Sequence, residues 1–218
     1  MESPQAIVPS STKEWELPDA RILKSLELMS ALHPDYTERQ KITVLDIGCG
    51  AGRHSLLLSR SGFDVYACDA SADYVMALDG AFCENGMEDR VLKARMTALP
   101  YENETFDWVV AWNVLYHGTF FDLITATGEV RRVLKKSGRF DASFISERNA
   151  RFGGGISIDD HTWMDETDSS KARPHCYTSR ENLETLLTGF RIVELDEYLQ
   201  KNYADAWHWY LAAEKGKK

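Results

Sequence analysis

The sequence lacks three features that would point to particular classes of protein. Its four cysteines, Cys49, Cys68, Cys83 and Cys176, form no CxxC pair, so we expect neither a disulfide framework nor a zinc site. No apolar run approaches the ~20 residues of a membrane-spanning helix. The formal charge of −9 disfavours nucleic acid and anionic membrane as partners. We therefore expect a protein of the reducing cytoplasm, with no metal and no membrane partner.

The chain has the size and composition of one soluble domain. Hydrophobic residues make up 44% of it and charged residues 27%, which is typical of globular proteins. A chain of 218 residues buries enough apolar surface to fold without disulfide bonds. We predict a single domain over residues 1–218, in which the polar residues 1–17 form a flexible N-terminal segment or a lid.

Short apolar runs alternate with segments of helical periodicity from residue 19 to residue 145. Such alternation is typical of a parallel sheet with helices on both faces and ligand sites at the carboxyl ends of its strands. The predicted helices cover 19–32, 53–60, 72–85 and 122–134, and the predicted strands cover 42–47, 63–68, 91–94, 106–112 and 139–145.

Regular patterning disappears between residues 146 and 177, where three consecutive glycines begin at Gly153. A long irregular stretch within a domain is usually a functional loop, so we predict an irregular insert over 146–177 that serves as a substrate lid. A helix capped by Ser179 follows, and strands over 190–198 and 207–213 are expected to pair antiparallel at the edge of the sheet.

A glycine-rich run over residues 44–52 is the strongest local motif. A short aliphatic segment leads into Gly48, Gly50 and Gly52 and then into a helix, which predicts a strand, a tight turn and a helix N-terminus close to a ligand. The dinucleotide fingerprint G-x-G-x-x-G would need a glycine where Arg53 stands. The loop therefore favours a nucleoside with an amino-acid tail over a nicotinamide dinucleotide.

Two acidic residues extend this motif. Asp46 ends the first strand, where its carboxylate would face the ammonium group of an amino-acid tail. Asp69 ends the second strand, about twenty residues after the glycine loop, where a carboxylate can accept hydrogen bonds from both ribose hydroxyls. The first strand, the glycine loop, the helix that follows it and Asp69 together predict a nucleoside cofactor.

These segments resemble the class I S-adenosylmethionine-dependent methyltransferases, closely over residues 43–140. The run 44–52 is similar to the family's first motif, and Asp69 matches its ribose-binding acid. The resemblance implies a three-layer α/β/α, Rossmann-like fold with a seven-stranded, mostly parallel sheet and one antiparallel strand near the edge. It also implies S-adenosyl-L-methionine as the cofactor. Further similar segments are Met96–Pro100, Phe106–Val110 and Glu129–Gly138.

The resemblance implies a cofactor site built from the strand ends. The sequence departs from the family pattern at one position. Family members often carry aspartate before the Met96 segment, where it accepts a hydrogen bond from the adenine amino group. This chain has Arg95 there, and arginine has donors only. Arg95 either stacks on adenine or points outward while the backbone at Met96 and Thr97 contacts the base. The predicted cofactor residues are Asp46, Gly48, Gly50, Gly52, Asp69, Ala70, Met96, Thr97, Trp112 and Asn113.

Residues 112–118 lie at and after the end of the fourth strand. In this family, the residues at that place face the transferred methyl group. His117 titrates near neutral pH and could act as a base or orient the substrate. Tyr116 either lines the substrate cavity or packs in the core. His161 and His175 lie far away in sequence but could meet His117 across one pocket. The predicted catalytic residues are His117, Tyr116 and His175.

The sequence therefore predicts a methyltransferase that acts on a small-molecule acceptor, with nucleic acid an unlikely partner and a homodimer possible. The main alternative is a regulatory or sensor protein that binds the cofactor and has no catalysis. A methyltransferase acting on nucleic acid or protein is a further alternative, which a basic, aromatic-lined groove would indicate.

Overall fold

The computed structural model describes residues 17–164, 173–200 and 204–216, so most of the predicted N-terminal segment lies outside it. Helices and strands alternate along the chain as the sequence predicts. The helices are α1 (Ala20–Leu32), α2 (Tyr36–Arg39), α3 (Arg53–Arg60), α4 (Ala72–Cys83), α5 (Phe120–Val133) and α6 (Arg180–Leu186). The strands are β1 (Thr43–Ile47), β2 (Asp64–Asp69), β3 (Val91–Lys93), β4 (Phe106–Ala111), β5 (Leu134–Ser146), β6 (Ile156–Asp159), β7 (Thr162–Met164), β8 (Pro174–Thr178), β9 (Phe190–Leu199) and β10 (Trp207–Lys215).

Seven of the strands form a central sheet in the order β3-β2-β1-β4-β5-β10-β9. Strands β1 to β5 pair in parallel, whereas β10 runs antiparallel to both β5 and β9. One apolar cluster packs α5 and α6 on one face of this sheet. A second cluster packs α1, α3 and α4 on the other face. The predicted three-layer fold with one antiparallel strand near the edge is confirmed.

The predicted irregularity of residues 146–177 is wrong, because β6 and β7 lie within this range, β8 begins in it, and all three extend the sheet to ten strands. Strand β8 pairs in parallel with the end of β5, where Ile145 lies opposite Tyr177. The three strands are short, and β6 is exposed along most of its length. They therefore lack the buried alternation that makes a strand visible in sequence.

A buried carboxylate joins α1 to the sheet. Asp141 on β5 has no exposed surface and accepts two hydrogen bonds from Arg139, at 2.6 and 2.9 Å. The Trp108 indole N–H, the Ser25 hydroxyl and the Tyr210 hydroxyl also donate to it, at 2.8, 2.9 and 3.0 Å. One charged pair thus connects α1, β4, β5 and β10. No helix among the described residues is long and apolar enough to cross a membrane.

We predict that Asp141→Asn lowers the free energy of unfolding by roughly 3–5 kcal/mol, because it leaves the Arg139 guanidinium buried without its counter-charge. Urea unfolding followed by circular dichroism measures the change. Asp196→Asn is the control, because its side chain is 59% exposed and lies 3.9 Å from Arg21. An exposed pair contributes less than about 1 kcal/mol. Equal losses in the two variants would contradict this account.

Candidate functional site

The glycine loop after β1 is folded against the carboxyl end of β2. The backbone N–H groups of Gly48 and Cys49 both donate to the carbonyl oxygen of Cys68, at 2.7 and 3.1 Å. The N–H of Gly50 donates to the carboxylate of Asp69 at 3.0 Å. The two strand ends that carry the predicted cofactor residues are therefore joined directly, through backbone groups and one acidic side chain.

The three glycines of this loop all have positive φ, and they differ in what surrounds them. A Cβ on Gly48 would lie 2.2 Å from Val114, and one on Gly52 would lie 2.3 Å from Leu78, so both positions are closed by protein packing. Gly50 has a φ of +52° and no heavy atom within 4 Å of its Cβ position. The space above Gly50 is open, which fits a ligand lying against the backbone.

Asp69 has acceptor capacity left after its contacts within the protein. One carboxylate oxygen accepts from Gly50 and the other accepts from the N–H of Ser71 at 2.8 Å. Each ionised carboxylate oxygen can accept two hydrogen bonds. One acceptor position on each oxygen therefore remains for a diol such as the two hydroxyls of a ribose.

Asp46 lies buried beneath the loop, with 2% of its surface exposed. The hydroxyl of Ser55 on α3 donates to it at 2.5 Å. Burial raises the pKa of Asp46 to about 6, although this hydrogen bond and the charge of Arg53 oppose the shift. A ligand ammonium close to this carboxyl would favour its ionised form and lower the pKa again. The residue can therefore respond to a positively charged tail.

A shallow cleft of about 340 Å³ begins beside Asp69. Arg95 lines it, and the Arg95 carbonyl accepts the N–H of Ala98 at 3.0 Å, which closes a turn around Met96 and Thr97. The predicted base-contacting segment thus lies next to the predicted ribose-binding acid. The cleft is lined by Ala70, Lys93, Ala94, Arg95, Ala98 and Pro100.

The end of β4 is held in an unusual backbone conformation. Asn113 has a φ of +56°, which is uncommon outside glycine. Its N–H donates to the Ser143 hydroxyl at 2.8 Å, and that hydroxyl donates back to the Asn113 side-chain carbonyl at 3.0 Å. Trp112 is 4% exposed and packs against Tyr210, with ring centroids 5.9 Å apart. Asn113 therefore lies at the strand end in a fixed position, while the Trp112 side chain lies in the core.

The structure brings the three predicted catalytic residues together. The ring centroids of Tyr116 and His117 are 4.6 Å apart, and those of His117 and His175 are 4.9 Å apart. The N–H of Cys176 on β8 donates to the carbonyl of Tyr116 at 2.9 Å. The pairing of β8 with β5, together with this bond, carries His175 from the insert to the end of β4. Their catalytic roles stay a prediction.

His117 is held in its neutral form. Burial lowers the pKa of His117 to about 4, and the positive charges of His175 and Arg173 add to that effect, whereas the backbone of Asn113 opposes it. Its Nδ1 atom is buried and makes no hydrogen bond within the described part of the chain. An orphaned buried nitrogen of this kind calls for a partner, and a bound ligand can supply one.

His161 lies in a different environment from His117. Its ring contacts Phe120 at 4.6 Å between centroids, and its Nδ1 atom lies 3.9 Å from the carboxylate of Glu147. Among the described residues no group of three or more histidine, cysteine, aspartate or glutamate side chains could hold a metal ion.

Two histidines near the site were missed by the sequence analysis. His54 on α3 is buried, and its Nε2 atom accepts the N–H of Asp19 at 3.2 Å, which fixes the start of α1. His208 on β10 is buried between Tyr116 and Tyr198, at ring distances of 5.9 and 6.0 Å. Long-range contacts such as these leave no local pattern in the sequence.

Comparisons with known proteins agree with this geometry. Residues 44–138 match the family model described as "Methyltransferase domain". A chain described as "Uncharacterized methyltransferase YcgJ" from Bacillus subtilis is 34% identical over 103 residues, which are 47% of this chain and 40% of that protein. The alignments with the first two curated relatives span less than half of those proteins.

Solved structures share the fold over nearly the whole chain. The PH0226 protein from Pyrococcus horikoshii has a TM-score of 0.70 and 24% identity, covering 94% of this chain and 92% of that chain. The 1,6-didemethyltoxoflavin-N1-methyltransferase from Burkholderia thailandensis, solved with 1,6-didemethyltoxoflavin and S-adenosylhomocysteine, has a TM-score of 0.63 and 18% identity, covering 91% and 89%. Residues 44–138 are thus similar to the methyltransferase-domain family, and the chain shares the fold of these solved structures.

We predict that Asp69→Ala weakens binding of S-adenosylmethionine roughly tenfold to a hundredfold, because hydrogen bonds to a charged group contribute about 1.5–3 kcal/mol. The variant loses the predicted ribose acceptor and also the anchor of the Gly50 amide. Isothermal calorimetry measures the affinity, with Asp73→Ala in the exposed first turn of α4 as the control. Wild-type affinity in Asp69→Ala would remove this residue from the site.

Proposed function

We propose that this protein transfers a methyl group from S-adenosylmethionine to a small-molecule acceptor. The observation that carries the proposal is the adjacency of two features at one edge of the sheet. Asp69 and the open backbone at Gly50 lie at the ends of β1 and β2, and the cluster of Tyr116, His117 and His175 lies beyond β4. The first feature fits a nucleoside cofactor and the second fits a compact acceptor.

Each residue of the first feature would contact a different part of the cofactor. When bound, S-adenosylmethionine supplies an electrophilic methyl group on a positively charged sulfur. Asp69 would accept the ribose hydroxyls, the backbone at Gly50 would lie against the amino-acid part, and Asp46 would face the ammonium. The cleft lined by Arg95 would hold the base.

The insert is proposed as the lid of the acceptor pocket. Phe152, Trp163 and Tyr177 form an aromatic cluster with centroid distances of 4.8 to 5.8 Å. Since β8 is hydrogen bonded to the end of β5, this cluster lies next to the carboxyl edge of the sheet. An apolar cover excludes water, which strengthens the electrostatic interactions inside the pocket.

The acceptor is proposed to be a small molecule because nothing in the charge balance favours a polyanion. The chain carries 34 acidic and 25 basic residues, whereas nucleic-acid binding relies on a basic surface. The Burkholderia thailandensis enzyme named above was solved with 1,6-didemethyltoxoflavin bound. Its similarity to this chain supports the same size class of acceptor. The free cysteines, of which Cys83 is exposed, are consistent with the proposed location in a reducing cytoplasm.

A regulatory protein that binds the cofactor without catalysis is the second candidate. Arg95 favours it, because this side chain has donors only and lines the cleft in which an acceptor would contact the adenine amino group. Both candidates predict cofactor binding, but only the methyltransferase predicts turnover.

The test uses S-adenosylmethionine with a labelled methyl group, incubated with the protein and a heat-inactivated cell extract that keeps its small molecules. The extract is then separated into small molecules, protein and nucleic acid. Label in the small-molecule fraction supports the proposal. Label in protein or nucleic acid would overturn the acceptor class, and cofactor binding without any transfer would favour the regulatory candidate.

We predict that His117→Ala lowers the rate of methyl transfer by about tenfold to a hundredfold, at the low end of what a positioned acid or base contributes. Cofactor affinity should stay at the wild-type value, because no cofactor contact is assigned to His117. Single-turnover kinetics and calorimetry measure the two quantities. His33→Ala, at the end of α1, is the matched control. Unchanged turnover in His117→Ala would exclude a role in acceptor positioning or proton transfer.

A further inference from the structure

The described walls of the cleft beside Asp69 carry no side chain that can accept a hydrogen bond. The apolar part of these walls is made of three alanines and one proline, which are Ala70, Ala94, Ala98 and Pro100. The polar part is made of Lys93 and Arg95. Lysine and arginine have hydrogen-bond donors and no acceptor. The side chains of this cleft therefore match a flat ligand whose edge presents acceptors.

Both cations of the cleft are available to a ligand. Lys93 and Arg95 are exposed, and neither side chain forms an ion pair or a hydrogen bond with the other residues that the structure describes. The backbone of Arg95 is fixed, because its carbonyl accepts the N–H of Ala98 at 3.0 Å and the two residues form an isolated β-bridge. The guanidinium thus extends from a fixed point beside the cleft with its donors unused.

The register of the sheet separates the two cations along the cleft. Lys93 lies opposite Asp69 in the parallel pairing of β2 with β3, and the N–H of Ala94 donates to the carbonyl of Asp69 at 3.0 Å. Arg95 lies two residues further on, which is about 7 Å along an extended chain. A nucleoside with its ribose hydroxyls at Asp69 therefore has Lys93 level with its sugar and Arg95 level with its base.

We propose that this cleft binds 6-oxopurine nucleosides in preference to adenine nucleosides, and that Arg95 sets the preference. The inference rests on the proposed function, in which the cleft holds the base of the cofactor, and it specifies the class of base. A 6-oxopurine presents two neighbouring acceptors, O6 and N7, which match the paired donors of a guanidinium. Adenine presents its 6-amino donor beside N7, and the described walls of the cleft offer that amino group no side-chain acceptor.

Adenine compounds still bind under this proposal. The contacts assigned to Asp69 and to the backbone at Gly50 involve the ribose and the amino-acid part, which the adenine and 6-oxopurine compounds share. Arg95 can also donate to a ring nitrogen of adenine, which is an acceptor. The group at C6 of the purine therefore changes the affinity, while the rest of the ligand supplies the common contacts.

The test compares two ligands that differ only in the base. S-adenosylhomocysteine carries an amino group at C6 of the purine, and S-inosylhomocysteine carries an oxygen there. Isothermal calorimetry measures both affinities for the wild-type protein. We expect S-inosylhomocysteine to bind at least about threefold more tightly, because a bidentate arginine contact discriminates between bases by about fivefold or more in a DNA groove and this cleft is more open to water.

Two variants assign the preference to one residue. Arg95→Asp replaces donors by a carboxylate that only accepts, so it should reverse the preference in favour of S-adenosylhomocysteine. Lys93→Asp makes the same change of charge in the same cleft, at the level of the ribose, and should keep the wild-type preference.

Equal or weaker binding of S-inosylhomocysteine by the wild-type protein would overturn the assignment. An unchanged preference in Arg95→Asp, or the same change of preference in both variants, would also overturn it. If the wild-type protein binds neither ligand, the proposed function fails together with this inference.

Discussion

The hydrogen bond from the Gly50 amide to the Asp69 carboxylate is the contact on which the site depends. It ties the loop after β1 to the end of β2, so the open backbone at Gly50 and the remaining acceptor positions of Asp69 face the same space. The Cys68 carbonyl, which accepts two further loop N–H groups, fixes the loop from the other side. A parallel sheet makes this arrangement possible, because it brings the carboxyl ends of consecutive strands to one edge.

The local part of the site could be predicted from sequence, because its signals lie close together along the chain. The glycines at 48, 50 and 52 indicate a tight turn of the backbone. The acid at 69 is identified by its spacing from that loop. The contact of His175 with His117 depends instead on β8 pairing with β5, and β6 to β8 are too short to show periodicity. The bond between His54 and Asp19 joins residues 35 positions apart. Tertiary packing alone places these groups.

The central claim is that the edge formed by β1, β2 and β4 binds S-adenosylmethionine and not a nicotinamide dinucleotide. Isothermal calorimetry of the purified protein with S-adenosylmethionine, S-adenosylhomocysteine and NAD, measured side by side, tests it most directly. Arg53 stands where a dinucleotide site needs glycine, so we predict binding of both sulfur compounds and none of NAD. Binding of NAD, or silence with both sulfur compounds, would contradict it.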